Sequence, residues 1–279
     1  MRLRPISQFD EREPGPSDQQ LFPDIDGYSY DDTFFRYIQE GSRRSAEVIV
    51  PLVANHLRIE SILDVGCGAG AWLAEYRRQG IPTCVGVDGD YVNTSKLLIP
   101  PTTFVPRNVG HTFDLGRRFD LVQCLEVGEH LEPGSSRSLV ENLVRHSDLV
   151  LFSAAVPGQG GENHTNEQPY EFWRALFAEH DYAPHDFVRP LVRGAAAVEI
   201  WYRQNTILYV AKDAQASLSP VVAASRVPDG TPIKDISGIP YRLRKRTLAL
   251  LPVAWISRFA ILKHRTILFS RLVLRRQSH

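Results

Sequence analysis

Two hydrophobic rhythms divide the chain. Over residues 31–56, apolar side chains recur at Phe34, Phe35, Ile38, Ala46, Val50 and Leu52, a spacing that gives a helix one apolar side. Gly41-Ser42 interrupts the run and predicts a break into two helices. From Ser61 short β-branched runs alternate with amphipathic stretches, the pattern of βαβ units around a parallel sheet. Strands are expected at Ser61–Val65, Thr83–Val87, Thr103–Val105, Asp120–Leu125 and Leu149–Ser153. Helices are expected near 71–79, 92–98, 135–147 and 169–180. Two later strands, about 182–188 and 205–211, follow without a long helix between them. That ending suits an antiparallel hairpin finishing an otherwise parallel sheet.

The flanks lack this rhythm. Residues 1–27 are polar, rich in charge and proline, and read as a flexible N-terminus without the apolar stretch of a signal peptide. The span 28–212 reads as one domain, in which the helical N-terminal part covers the sheet. Residues 213–240, rich in Ala, Ser, Pro and Gly, read as a linker. Residues 241–279 form a basic, apolar tail. Lys+Arg and Asp+Glu both total 32, so the net charge is zero. The balance is uneven, because ten of the 32 basic residues follow position 240 and no acid does. The body is therefore acidic and the tail basic. Cys67, Cys84 and Cys124 form no CxxC pair and fall in or beside expected strands. They read as small core residues in a reducing compartment. No stretch of roughly 20 apolar residues suggests a spanning helix, and the cytoplasm is the expected location.

Candidate chemistry begins where the first strand ends. Asp64-Val65-Gly66-Cys67-Gly68-Ala69-Gly70-Ala71-Trp72 runs from a buried strand through a glycine turn into a helix. Gly66 and Gly68 let backbone approach a ligand closely. The helix starting near Gly70 points free N–H groups back at the turn, a setting that favours a carboxylate. The next strand ends in Asp88-Gly89-Asp90. An acid about 20 residues after the turn is placed to grip a ribose hydroxyl pair. Asp88 is assigned that role, and Asp90 reads as solvated. A dinucleotide is disfavoured, because Leu73 stands where that pattern has its final glycine.

The string LDVGCGAG, the acid at Asp88 and the later Phe119-Asp120-Leu121-Val122-Gln123-Cys124-Leu125-Glu126 closely resemble the motifs of class I S-adenosylmethionine (SAM) dependent methyltransferases. The resemblance covers about residues 60–211. It implies a Rossmann-like α/β fold with a seven-stranded sheet and SAM as cofactor. The implied cofactor residues are Asp64, Gly66, Cys67, Gly68, Gly70, Trp72, Asp88, Gly89, Asn108 and Leu125. At Asn108 family members usually carry an acid near the adenine, and here an amide stands there.

Glu126-Val127-Gly128-Glu129-His130 lies just past the fourth strand, at the carboxyl edge where open α/β sheets bind ligands. If a helix starts there, Glu126, Glu129 and His130 share one face. Two carboxylates and an imidazole are a mixed oxygen and nitrogen ligand set for a divalent cation. A polar, glycine-rich loop, Pro157 to Pro169, follows the fifth strand, and its His164 can supply a fourth ligand. This loop reads as a lid or acceptor-binding loop. The Glu-x-x-Glu-His segment resembles those of ubiquinone-biosynthesis O-methyltransferases and small-RNA 2′-O-methyltransferases. That resemblance implies Glu126, Glu129, His130 and His164 as ligands of a divalent metal, Mg or similar. Three readings stay open: a metal site with Glu129 and His130 at the reaction centre, His130 as a metal-free general base, and purely structural roles.

The expected activity is O-methylation of a sugar hydroxyl in a glycan, a lipid-linked saccharide or a glycosylated metabolite. A metal suits such an acceptor, because a bound cation acidifies an oxygen acid. A phenol, a quinone or an RNA 3′ end are alternative acceptors, and a non-catalytic SAM-fold protein at a membrane is the alternative class. Trp201-Tyr202-Arg203-Gln204-Asn205 suits stacking on a sugar or base, and equally a core position. In the tail, Leu248, Trp255, Ile256, Phe259, Leu272 and others interleave with arginines. Such a basic amphipathic helix suits a membrane surface or packing on the body or a second copy of the chain. It is too apolar for simple phosphate tracking, so nucleic acid is disfavoured.

Overall fold

A computed structural model describes residues 32–248 and 250. The expectations for residues 1–27 and for the tail beyond 250 lie outside the described residues. So do the side chains of Phe34, Phe35 and Ile38.

Seven strands form one sheet in the order β3-β2-β1-β4-β5-β7-β6. They are β1 Ser61–Val65, β2 Thr83–Asp88, β3 Phe104–Pro106, β4 Leu121–Leu125, β5 Leu149–Ser153, β6 Tyr182–His185 and β7 Ile207–Ala211. The first five pair in parallel. β7 inserts antiparallel between β5 and β6, with Phe152 opposite Ile207 and Ala183 opposite Val210. The Rossmann-like sheet and its antiparallel ending are those expected from the hydrophobic pattern.

Alternation along the strands builds two cores. Ile62, Leu121, Leu151 and Leu208 face helices α1 (Asp32–His56), α2 (Ala71–Arg78) and α5 (Val188–Val192). Leu63, Val122, Val150 and Tyr209 face α3 (Ser136–His146) and α4 (Tyr170–Ala178). Because both faces are covered, the strands read as nearly continuous apolar runs. Phe177 of α4 stacks on Tyr209 with ring centroids 3.9 Å apart. All three cysteines are buried and free.

Three expectations need correction. α1 runs unbroken through Gly41-Ser42. There the Ser45 hydroxyl donates to the Gly41 carbonyl, and Ser45 Oγ accepts from the backbone N–H of Glu199. Glu199 immediately precedes α6 (Ile200–Asn205), so this seam docks α1 on α6. The helix expected near 92–98 is a single 3-10 turn, Thr94–Lys96. Asn93 caps it by accepting from the N–H and hydroxyl of Ser95, a local bond that competes with a longer helix. Residues 213–240 are not a free linker. Val222, in the short helix α7 (Pro220–Ala224), and Ile233 are buried. Arg174 of α4 donates to the carbonyls of Pro228 and Thr231, and Glu171 accepts from the Ile233 N–H. The segment is a strap whose backbone groups are satisfied by α4. It leads into α8 (Ile239–Leu248). Among the described residues no helix is long and apolar enough to cross a membrane.

Candidate functional site

Strand order reverses direction between β1 and β4, and such a switch point opens a crevice at the carboxyl ends of the strands. Both candidate motifs meet there. Gly66 has a φ of 79°, and a Cβ on it would overlap the side chain of Val127, just past β4. The β1 turn can approach the β4 turn this closely only without a side chain. Gly68 has a φ of 52°, and a Cβ there would meet no protein atom within 4 Å. Its open face is where a ligand can reach backbone.

Two acids flank this turn. Asp88 Oδ2 accepts from the Gly68 N–H at 2.6 Å, and Oδ1 accepts from the Gly89 N–H at 2.7 Å and from the Tyr91 hydroxyl. Burial raises its pKa, against these three hydrogen bonds. Asp64 is 2% exposed. Its Oδ1 accepts from Gln123 Nε2 at 3.2 Å, while its Oδ2 is buried without a hydrogen-bond partner. Burial is the main cause that pushes its pKa to about 7, with Gln123 opposing and Asp88 adding. Tyr76 fixes the Gln123 amide by donating to its Oε1. Gln123 and Tyr76 were not singled out in the sequence, because a mid-strand amide and a helix tyrosine carry no motif.

The other cofactor expectations divide. Leu125 is buried at the end of β4, and Cys67 is buried within the turn. Gly70 is the N-cap of α2. Asn108 follows β3, and its Oδ1 accepts from the Gly110 N–H, so half of its amide shapes its own turn. Trp72 is buried and meets Tyr202 edge-on at 5.0 Å between centroids. It packs into the core beneath α6, at the start of the helix that follows the turn. Asp90 is exposed, as expected.

Across the crevice the Glu-x-x-Glu-His segment does not start a helix at Glu126. Glu126 has a φ of 56°, a left-handed backbone uncommon for a residue with a side chain. Only Gly128–His130 then form a 3-10 turn. The consequence is a correction to the ligand set. Among the described residues, Glu129, His130 and His164 each offer a ligand atom, all within 4.8 Å of one another. Glu126 is not among them. Its Oε2 accepts from Gln159 Nε2 at 2.8 Å and its Oε1 from Asn205 Nδ2 at 3.2 Å.

The triad is assembled by the Pro157–Pro169 loop. Thr165 and Asn166 donate their backbone N–H groups to the Glu129 carbonyl, and Asn166 Nδ2 donates to the Gly128 carbonyl. His164 thereby meets His130 edge-on, with centroids 4.9 Å apart. Glu129 is 1% exposed, and neither carboxylate oxygen makes a hydrogen bond of good geometry. Burial, then the charge of Glu126, holds its pKa well above the carboxylate range. Burial, then His164, pushes His130 down to about 3. A buried carboxyl beside two imidazoles is costly without a compensating charge. The residues fit a divalent cation, which would supply that charge.

Further polar residues converge on the same edge. Asn205, at the end of α6, also donates to Gln159 Oε1 and accepts from the Tyr170 hydroxyl. Trp201 is only partly buried against the core. α8 leans on the loop: Arg244 donates to the Gln159 carbonyl, and the Lys245 ammonium pairs with Asp235 at 2.7 Å. The basic tail therefore begins as part of the site's wall. Its charge run carried no signal of this contact.

Residues 35–183, just over half of the chain, match the family model of a methyltransferase domain. No curated protein matches. Among solved structures, the chain is similar to the sugar N-methyltransferase KedS8 from Streptoalloteichus, at 18% identity and a TM-score of 0.48, over 71% of this chain and 99% of that one. It is also similar to magnesium protoporphyrin IX methyltransferase from Synechocystis, at 15% identity and a TM-score of 0.45, over 66% and 86% of the two chains. A third likeness, to DesVI from Streptomyces venezuelae, has 21% identity and a TM-score of 0.40. It covers 48% of this chain, which spans only 62% of that protein.

Proposed function

The chain belongs to the methyltransferase-domain family, and on that premise we propose that it is a SAM-dependent O-methyltransferase assisted by a divalent cation. The Gly66–Gly70 turn and the open face of Gly68 take the cofactor. Asp88 would hold the ribose, and the unpartnered Oδ2 of Asp64 would be the acceptor left for the cofactor's ammonium. Family membership and these two buried acids support SAM as cofactor.

The observation that carries the metal is the buried Glu129 carboxyl with His130 and His164 around it. A cation there lowers the pKa of an acceptor hydroxyl. Two imidazoles and one carboxylate suit Mn²⁺, Fe²⁺, Co²⁺ or Zn²⁺ better than Mg²⁺, which prefers oxygen. The reading of His130 as a metal-free base is disfavoured by its own environment, since an imidazole titrating at about 3 is a poor proton acceptor. Glu126, close enough to raise the pKa of Glu129, is the neighbouring base outside the triad. The reaction needs no activation of the methyl donor, so orientation and deprotonation of the acceptor are what the chain's residues supply.

The acceptor class is a sugar hydroxyl. Glu126, Gln159 and Asn205 form an acid–amide group suited to bonding several hydroxyls. The test is methyl transfer from radiolabelled SAM to saccharides, phenols and RNA, with and without EDTA. Mn²⁺-dependent labelling of a saccharide supports the reading. EDTA-resistant labelling removes the metal, and labelling of phenol or RNA alone removes the sugar. Absence of SAM binding by titration calorimetry leaves only a scaffold role.

The protein works in the cytoplasm, and its tail touches a membrane surface through interleaved basic and apolar residues. Flotation on anionic liposomes should be lost in a chain ending at Leu250. Unchanged flotation dismisses the membrane contact.

A further inference from the structure

Glu167 is outside the triad, but its carboxylate shapes the loop that supplies His164. Oε2 accepts from the Gly158 N–H at 2.8 Å, and Oε1 accepts from the Gly160 N–H at 2.7 Å. Oε1 also lies 2.9 Å from His164 Nδ1. A carboxylate already receiving two N–H bonds is an acceptor, so the proton between it and the imidazole sits on Nδ1. That leaves Nε2 as the ring's remaining ligand atom. The ring lies over Gly161, where an added Cβ would overlap Nε2, Cε1 and Cδ2. The side chains of His164 and Glu167 are 11% and 15% exposed, so both are shielded from competing water.

We propose that Glu167 is the positioning residue for the metal site: it fixes the tautomer and the ring plane of His164, with Gly161 as the floor on which the ring rests. This rests on the metal reading above. Ligand histidines commonly donate their second ring N–H to a carboxylate, which orients the ring and raises its basicity. The rest of the triad shows why such help is needed here. Glu129 and His130 sit on one short turn after β4. His164 comes from a separate loop, and its neighbour Asn163 has a φ of 55°. A loop ligand with no helix or strand beneath it needs a specific contact to hold one orientation. Glu167 provides it, and the same carboxylate gathers the N–H groups of Gly158 and Gly160, so ring orientation and loop shape are set together.

The test is Mn²⁺ binding to the full-length protein, measured by calorimetry and by the paramagnetic signal of free Mn²⁺. Wild-type protein, Glu167→Gln, Glu167→Ala and Gly161→Ala are compared. Each variant should bind Mn²⁺ about ten- to a hundredfold more weakly. Glu167→Gln, which keeps an acceptor for Nδ1–H, should be the milder of the two Glu167 changes. SAM affinity should stay at the wild-type value in all of them, which shows that the fold is intact. The visible spectrum of the Co²⁺ form reports the number and kind of ligands. In Glu167→Ala it should shift toward that of His164→Ala, which a general loosening of the loop would not produce. Wild-type Mn²⁺ affinity and an unshifted Co²⁺ spectrum in both Glu167 variants would overturn the positioning role alone. No Mn²⁺ or Co²⁺ binding by the wild-type protein would overturn the metal reading itself.

Discussion

The backbone of Lys245 lies against Gly158, and a Cβ added to that glycine would overlap the Lys245 carbonyl. The obstruction is main chain, so no side-chain rotation relieves it. Gly158 also has a φ of 79°, a conformation that a residue with a Cβ rarely adopts. Gly158→Ala should therefore lift α8 from the loop. Overlap and backbone strain each cost about 1–3 kcal/mol. Hydrogen exchange should quicken over residues 157–168 and 239–248 while the sheet stays protected. Unchanged exchange in both segments would show that α8 is not part of the site's wall.

Asp64 makes the ligand-free protein sensitive to pH. Its folded pKa is about 7, against an ordinary value of 3.8. Between those values the folded state binds more protons than the unfolded chain, so stability falls as pH rises through the window and levels off above it. The slope for one group is at most about 1.4 kcal/mol per pH unit. Asp64→Asn should remove this component in urea titrations run from pH 5 to 8. Bound SAM should narrow the window, because a neighbouring ammonium favours the ionised carboxylate. Parallel profiles for Asp64→Asn and wild-type protein would refute the account.

Two substitutions probe the cofactor turn from opposite sides. Asp88→Ala removes the acceptor of the Gly68 and Gly89 N–H groups and the proposed ribose contact. Hydrogen bonds to a charged group contribute about 1.5–3 kcal/mol, so SAM affinity should fall roughly ten- to a hundredfold. Gly68→Ala touches no protein atom within 4 Å. It should weaken SAM binding more than its modest left-handed strain lowers stability. Equal SAM affinity in Gly68→Ala and wild-type protein would place the cofactor elsewhere.

Cation binding should release a proton. Burial and the charge of Glu126 shift the Glu129 carboxyl toward its protonated form, and His130, titrating at about 3, carries no charge near pH 7. Ligation requires the carboxylate, so Mn²⁺ binding should be accompanied by proton release that grows as the pH is lowered. Calorimetry in two buffers of different ionisation enthalpy measures this directly. Glu129→Gln should abolish both the release and most of the affinity. Binding without proton release would exclude Glu129 from the ligands.

The frame was legible because buried strands are short, apolar and bounded. β1 and β5 occupy the expected residues, and β7 falls within its expected span. The pairing of the Glu129-His130 segment with His164 was also legible, since both follow adjacent parallel strands and such strands end on one edge. What spacing cannot encode is a left-handed backbone at a residue other than glycine. Glu126 breaks the i, i+3, i+4 face for that reason, and its carboxylate goes to Gln159 and Asn205 instead of the triad. Asn205 is 79 residues away from Glu126 in sequence, and no local pattern links them. The order of the strap 213–240 escapes local pattern for a related reason. Its composition is that of a linker, and its order comes from Arg174 and Glu171 on another element.

The insertion of β7 between β5 and β6 also sets an order of assembly during synthesis. β5 reaches the sheet through β4, but β6 has no neighbour until Ile207–Ala211 has emerged from the ribosome. Until then the nascent chain exposes the free edge of β5, an open template for pairing with other chains. Translation that stops short of residue 207 therefore yields a sticky fragment, not a smaller version of the protein. A pause in synthesis is safest once the last strand has closed that gap.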